Sequence, residues 1–191
     1  MTTKDLILLT ARELFNQQGT ARVTTNHIAK QADLSPGNLY YHFNDKDHII
    51  KEIYENMIRD WEGAYHPIEG QEMHINALRN FIRDNFEMLW QYRFFYREMV
   101  ALLNNNPALA KRHIEISQKR FLRQHNLLQK AIQDGLMQFP TLAIQQDVVT
   151  MAWVIANHYL VHLESMGQQV EKADFEKGID LVMLVFSPYL R

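Results

Sequence analysis

Thr24-Thr25-Asn26-His27-Ile28-Ala29-Lys30-Gln31-Ala32-Asp33-Leu34-Ser35-Pro36-Gly37-Asn38-Leu39-Tyr40-Tyr41-His42-Phe43 contains two short helices with almost nothing between them. Thr24 or Thr25 is placed to cap the first, which carries Ile28, Ala29 and Ala32. Ser35-Pro36 offers a capping hydroxyl and then a proline at the first helical position of the second. On a projection of about 100° per residue, Phe43 falls about 40° from Leu39, so both point one way. Gly37 and Tyr41 then point the other way, flanked by Asn38 and Tyr40.

That outward face consists of a glycine, an amide and two phenols. Glycine lets backbone approach a surface closely, an amide pairs with base edges, and phenols reach phosphates or pack on thymine methyls. Thr25 and Lys46, each at a helix start, would offer hydroxyl, N–H and ammonium to flanking phosphates. Charge argues the other way. Within residues 1–50, Lys4, Arg12, Arg22, Lys30 and Lys46 are balanced by Asp5, Glu13, Asp33, Asp45 and Asp47. Little sequence-independent attraction to DNA follows, so hydrogen bonds, helix termini and dimeric avidity would have to carry binding. From periodicity alone, a plain three-helix packing unit with exposed tyrosines is an equal alternative.

Upstream, Ile7, Ala11, Leu14 and Phe15 form one stripe of an amphipathic helix that stops at Gly19. Downstream, Asn44-Asp45 caps a helix in which Ile49, Ile50, Ile53, Tyr54, Met57, Ile58 and Trp61 keep helical spacing. A break runs from Gly63 to Gly70 through Pro67. Further helices are expected at about 72–90, 94–103, 110–137, 144–166 and 175–186, with a turn at Asn104–Pro107.

The whole composition agrees with long helices. The 191 residues are 47% hydrophobic and 22% charged, with a formal charge of −2, only 7 glycines and 5 prolines, and no cysteine. The scarcity of glycine and proline argues against all-β folds and glycine-rich phosphate loops, and the lack of cysteine excludes disulfide frameworks, Cys-ligated zinc and thiol nucleophiles. No targeting segment or membrane span is visible, and a cytoplasmic protein is expected. No nucleophile-elbow motif places a serine for chemistry, so no enzyme activity and no cofactor are expected. His158 and His162, four apart, have a spacing that metal sites use, but polar groups in a pocket or dimer seam are the preferred reading, and no metal site is expected.

The 24–43 stretch, continued by Asp45-Lys46, resembles the DNA-binding motif of the tetracycline-repressor (TetR) family. Its most specific part is Gly37-Asn38-Leu39-Tyr40-Tyr41-His42-Phe43 with the downstream lysine. The resemblance is strong over about the first 55 residues, and beyond them rests on helix number and length. It implies an all-α fold with residues 1–50 as a helix-turn-helix domain and 51–191 as a helical effector-binding and dimerisation domain. Thr25 and Lys46 would contact phosphates, Gly37 and Asn38 approach base edges, and Tyr40 and Tyr41 meet phosphates and thymine methyls. Ser35 would cap the recognition helix and His42 lie near the DNA backbone. Pro36 stands where many relatives carry a lysine, which suits helix initiation but removes a phosphate-seeking charge.

The same resemblance implies a double-stranded DNA operator, a homodimer through the helices at 144–166 and 175–186, and an unidentified small-molecule effector. Apolar residues around nearly the whole circumference between Val148 and Leu163 suit a helix covered on two sides. Phe86, Trp90, Phe121 and Trp153 are candidates to line the effector cavity, with ordinary core as the alternative. The run Lys111, Arg112, Lys119, Arg120, Arg123 and Lys130 reads as a solvated helix face or, less readily, a seat for an anionic partner. A DNA-anchored module that binds a protein instead of a metabolite is the second functional reading.

Overall fold

The computed structural model describes residues 1–65 and 72–191. Nine α-helices run through the described residues: α1 (Thr3–Gln18), α2 (Thr25–Gln31), α3 (Pro36–His42), α4 (Lys46–Tyr65), α5 (Ile75–Gln91), α6 (Arg93–Asn105), α7 (Pro107–Gln133), α8 (Leu142–Ser165) and α9 (Phe175–Phe186). No strand forms among these residues; one isolated bridge joins Met137 and Leu190.

Local chemistry sets most of the ends. Thr2 and Asp5 form a reciprocal capping box on α1, and Gly19 closes that helix at φ 80°, a left-handed backbone that favours glycine. Thr141 caps α8 by accepting the Ile144 N–H at 3.2 Å. Two expected boundaries move. Gly63 is still helical, because a glycine lowers helix stability without stopping a helix whose neighbour Trp61 is buried. The rest of the expected break, including Pro67, lies outside the described residues. The long helix starts at Pro107 rather than Ala110, since Asn106 Oδ1 accepts the Leu109 N–H at 3.0 Å and proline suits the first turn. It ends at Gln133, before Gly135 at φ 81°.

The chain divides into two compact units, Met1–Arg59 with Tyr92–Lys111, and Asp60–Gln91 with Arg112–Arg191. In the first, α1 packs on α2 and α6, and α2 on α3. Ile7, Phe15, Val23, Ile28, Leu39, Phe43 and Ile49 are fully buried there. Phe94 and Phe95 of α6 join that core, with ring centroids 5.4 Å from Phe15 and 4.9 Å from Tyr54. In the second unit α9 packs against α5 and α8. Phe86 and Trp90 meet Phe175 at 5.4 and 5.7 Å, while Gly178 sits against Phe86 and Tyr159.

Candidate nucleic-acid interface

The turn between α2 and α3 is built by a few backbone bonds. Leu34 N–H donates to Ala29 O at 2.9 Å, and Asp33 takes φ 55°, a left-handed conformation that a short polar side chain tolerates. Thr24, not Thr25, caps α2 by accepting the His27 N–H at 3.2 Å. Ser35 caps α3 by accepting the Asn38 N–H at 3.2 Å, with Pro36 at the first helical position.

Burial then separates the two faces of α3. Leu39 and Phe43 are fully buried, while Gly37 and Asn38 are exposed, Tyr40 is 49% exposed and Tyr41 84%. An 84% exposed tyrosine buries little in its own chain, so its hydroxyl is open to another molecule. Tyr40 is held differently: its hydroxyl lies 2.9 Å from Thr25 Oγ1, placing two hydroxyls side by side next to the outward face. His42 is half-buried and meets Tyr41 edge-on at 5.0 Å.

Lys46 stands at the first residue of α4, half-buried, and its Nζ donates to Thr20 O at 2.8 Å. An ammonium has three donors, so this bond fixes the group's position and leaves donors for a phosphate. Thr20 is held in turn by Glu98 of α6, whose carboxylate accepts its backbone N–H at 2.9 Å and its hydroxyl. Asn16 Oδ1 accepts the Phe94 N–H at 3.0 Å, and Arg97 donates to Asn16 O at 2.7 Å. Sequence reasoning missed Asn16, Thr20 and Glu98. The partners are far apart along the chain, and no short-range pattern marks them.

The candidate effector residues fall into two groups. Phe121 and Trp153, 5.7 Å apart and edge-to-face, line a groove of about 630 Å³ between α7 and α8. Ser117, Gln118, Leu122, His125, Gln146, Val149 and Thr150 complete its walls. Phe86 and Trp90 instead pack with Phe175 between α5 and α9. On α7, Leu128 is buried but Ile114 is exposed, so the apolar side of this helix is only partly covered by its own chain. Arg120 departs from its basic run and turns onto the Trp61 ring. His158 and His162 are both exposed, and no group of three or more metal-capable residues assembles among the described residues.

A helix-turn-helix whose second helix presents bare backbone, an amide and phenols is thus followed by a larger helical unit. Family models match both parts: residues 7–53 fit bacterial regulatory proteins of the tetR family, and residues 54–191 fit a bacterial transcriptional repressor, TetR. The chain belongs to the TetR family. Its N-terminal part is 42% identical over 62 residues to the HTH-type transcriptional regulator QacR of Staphylococcus aureus, a match covering 32% of this chain and 33% of QacR. A TetR-family regulator from Marinobacter aquaeolei VT8 superposes with TM-score 0.91 at 29% identity, over 100% of this chain and 92% of that one. The fold also matches that of SmeT in its triclosan complex, with TM-score 0.66 at 17% identity, over 100% of this chain and 93% of SmeT. As a TetR-family protein, the chain is a DNA-binding regulator of transcription. No helix among the described residues is long and apolar enough to cross a membrane.

Proposed function

We propose that the protein is a homodimeric, effector-responsive repressor in which each subunit places α3 in the major groove of one half of a roughly palindromic operator. The opposition on α3 carries this reading: Leu39 and Phe43 anchor the helix from behind while Gly37, Asn38 and Tyr41 face out. Within residues 1–50, Asn38 and the Gly37 backbone would read base edges. Tyr40, Tyr41, Thr25, His42 and Lys46 would position the helix on phosphates and methyls, and Ser35 and Pro36 would fix its start.

Dimerisation through α8 and α9 is supported by Met151, Val154 and Leu184, apolar side chains exposed on one chain. The larger unit would take a small molecule, with Phe121 and Trp153 the stronger candidates to touch it because both line the groove. The SmeT neighbour carries triclosan, which favours a small molecule over a protein partner. Effector binding would shift α4 and so change the separation of the two recognition helices. Its thermodynamic content is a difference in effector affinity between DNA-competent and incompetent spacings. No catalytic role is assigned, and a cytoplasmic location follows from work on bacterial operators.

Fluorescence anisotropy with duplexes selected from genomic fragments tests the DNA reading. Asn38→Ala combined with Tyr41→Ala should weaken binding by about tenfold or more, since each base-directed contact is worth about 1–3 kcal/mol. Helicity and melting temperature should not change, as both side chains are exposed. Undiminished operator binding by the double variant would overturn the assignment.

A further inference from the structure

Arg120 is a cation of the second unit that turns onto aromatic rings rather than onto a described acid. Its guanidinium stands 3.3 Å from the centroid of the Trp61 ring and 5.1 Å from that of Trp153. Its Nε is sealed from solvent and meets no acceptor. On the same helix Arg112 pairs with Glu115 and Lys130 with Asp134, whereas no described acid forms an ion pair with Arg120. Arg120 is half-buried, and two aromatic faces offset part of the cost of covering its guanidinium, but they supply no oxygen acceptor for the sealed Nε–H. His113, on the same side of α7, does not relieve the charge. Burial, and then the charge of Arg120, hold its imidazole below the ordinary value of 6.5, so it favours the neutral form.

Trp153 connects this cation to the groove. One ring both flanks Arg120 and lines the cavity of about 630 Å³, beside Phe121, Leu122 and Val149. A positive planar donor next to an apolar aromatic wall matches one ligand chemistry well: a carboxylate attached to an apolar body. The fork of an arginine accepts a carboxylate through two parallel hydrogen bonds, whereas a cationic ligand would be repelled there.

We infer that the effector is an organic carboxylate, its anionic group taken by Arg120 and its apolar body by Phe121 and Trp153. This rests on the effector-responsive reading above and names the ligand class for it. It also names what binding changes. Trp61 belongs to α4, so a guanidinium drawn toward a carboxylate leaves the face of an α4 side chain.

The probes are octanoate and 2-naphthoate, each beside its uncharged amide, titrated into the full chain with tryptophan fluorescence as readout. A fluorescent operator duplex reports DNA release in parallel. The carboxylates should bind about tenfold or more tightly than their amides, as a desolvated charge pair requires. Arg120→Met should abolish that preference while keeping a cooperative melt. If Arg120→Met does not fold, Arg120→Lys, which keeps the charge but not the fork, should reduce the preference, and the wild-type comparison of acid with amide decides in any case. Equal binding of amides, a preference that survives Arg120→Met, or no binding by either carboxylate overturns the assignment. The two readings fail separately. Amides that release the operator as well as the acids sink the carboxylate and leave the effector response standing. Acids that bind through Arg120 but leave operator binding unchanged do the reverse.

Discussion

At Gly178 one added carbon would stand 2.7 Å from both Phe86 Cε1 and Tyr159 Cδ1. Both rings are buried, so neither can swing away freely. Alanine would improve intrinsic helix propensity by about 1 kcal/mol, but overpacking a filled core costs about 1–3 kcal/mol. Gly178→Ala should therefore lower the urea-unfolding free energy by up to about 2 kcal/mol; a gain would show that α5 and α8 have slack there. The converse holds on α3, where Tyr41 is a large apolar ring that the chain itself leaves in water. Packing accounts for the glycine, whereas the exposed tyrosine suits the DNA contact proposed for it.

At the scale of elements, two struts hold segments that helical periodicity leaves undefined. The first joins α6 to the loop after α1: Glu98 accepts both donors of the buried Thr20, while Lys46 donates to its carbonyl. Glu98→Ala would leave those donors unsatisfied, at about 1–3 kcal/mol. Hydrogen exchange should show the loop and the start of α4 losing protection; unchanged exchange would mean water replaces the carboxylate without loss. The second strut ties the segment before α5 to the end of α7. Asp134 accepts from Lys130 Nζ and from the Met73 N–H, each at 2.7 Å, and these bonds hold its carboxyl below the ordinary value of 3.8. Because the folded value is the lower one, the strut's stabilisation is complete above 3.8 and disappears as pH falls through the lowered value. Asp134→Asn should accordingly flatten the acid limb of a stability profile below about pH 4 and leave its slope near neutrality unchanged.

At the scale of the molecule, apolar surface remains on helices that their own chain covers on one side only. Val148, Val149, Ala152, Tyr159 and Leu160 of α8 are buried, while Met151 and Val154 are about half exposed and Leu184 of α9 is 65% exposed. A second copy is the occupant that the dimeric reading supplies. Val154→Glu with Leu184→Glu places four carboxylates in a symmetric seam, so light scattering coupled to size exclusion should report a monomer. Operator affinity should fall with it, since each subunit loses the effective concentration conferred by its partner. A dimer that persists at micromolar concentration would move the interface elsewhere.

What could be read from the residues in order was whatever physics acts over a few positions. Thr24 and Ser35 as caps, Gly19 as a stop, and Leu39 and Phe43 behind an exposed Gly37–Tyr41 face follow from bonds and angles within one or two turns. Those local rules sufficed for an all-helical chain and for the exposed face of α3. Where they gave way, longer-range energies had taken over. Gly63 stayed helical beside a buried Trp61, and Phe86 and Trp90, read in sequence as cavity lining or ordinary core, pack on Phe175. Arg120 left the basic face of α7 for a tryptophan ring. The clasp of Glu98 on Thr20 and the seat of Arg120 on Trp61 join groups with no sequence proximity, because their free energy arises only once packing has excluded water around them. The sequence by itself determined the helices and their outward chemistry; the tertiary structure alone decided which side chains meet, since desolvation belongs to the assembled core.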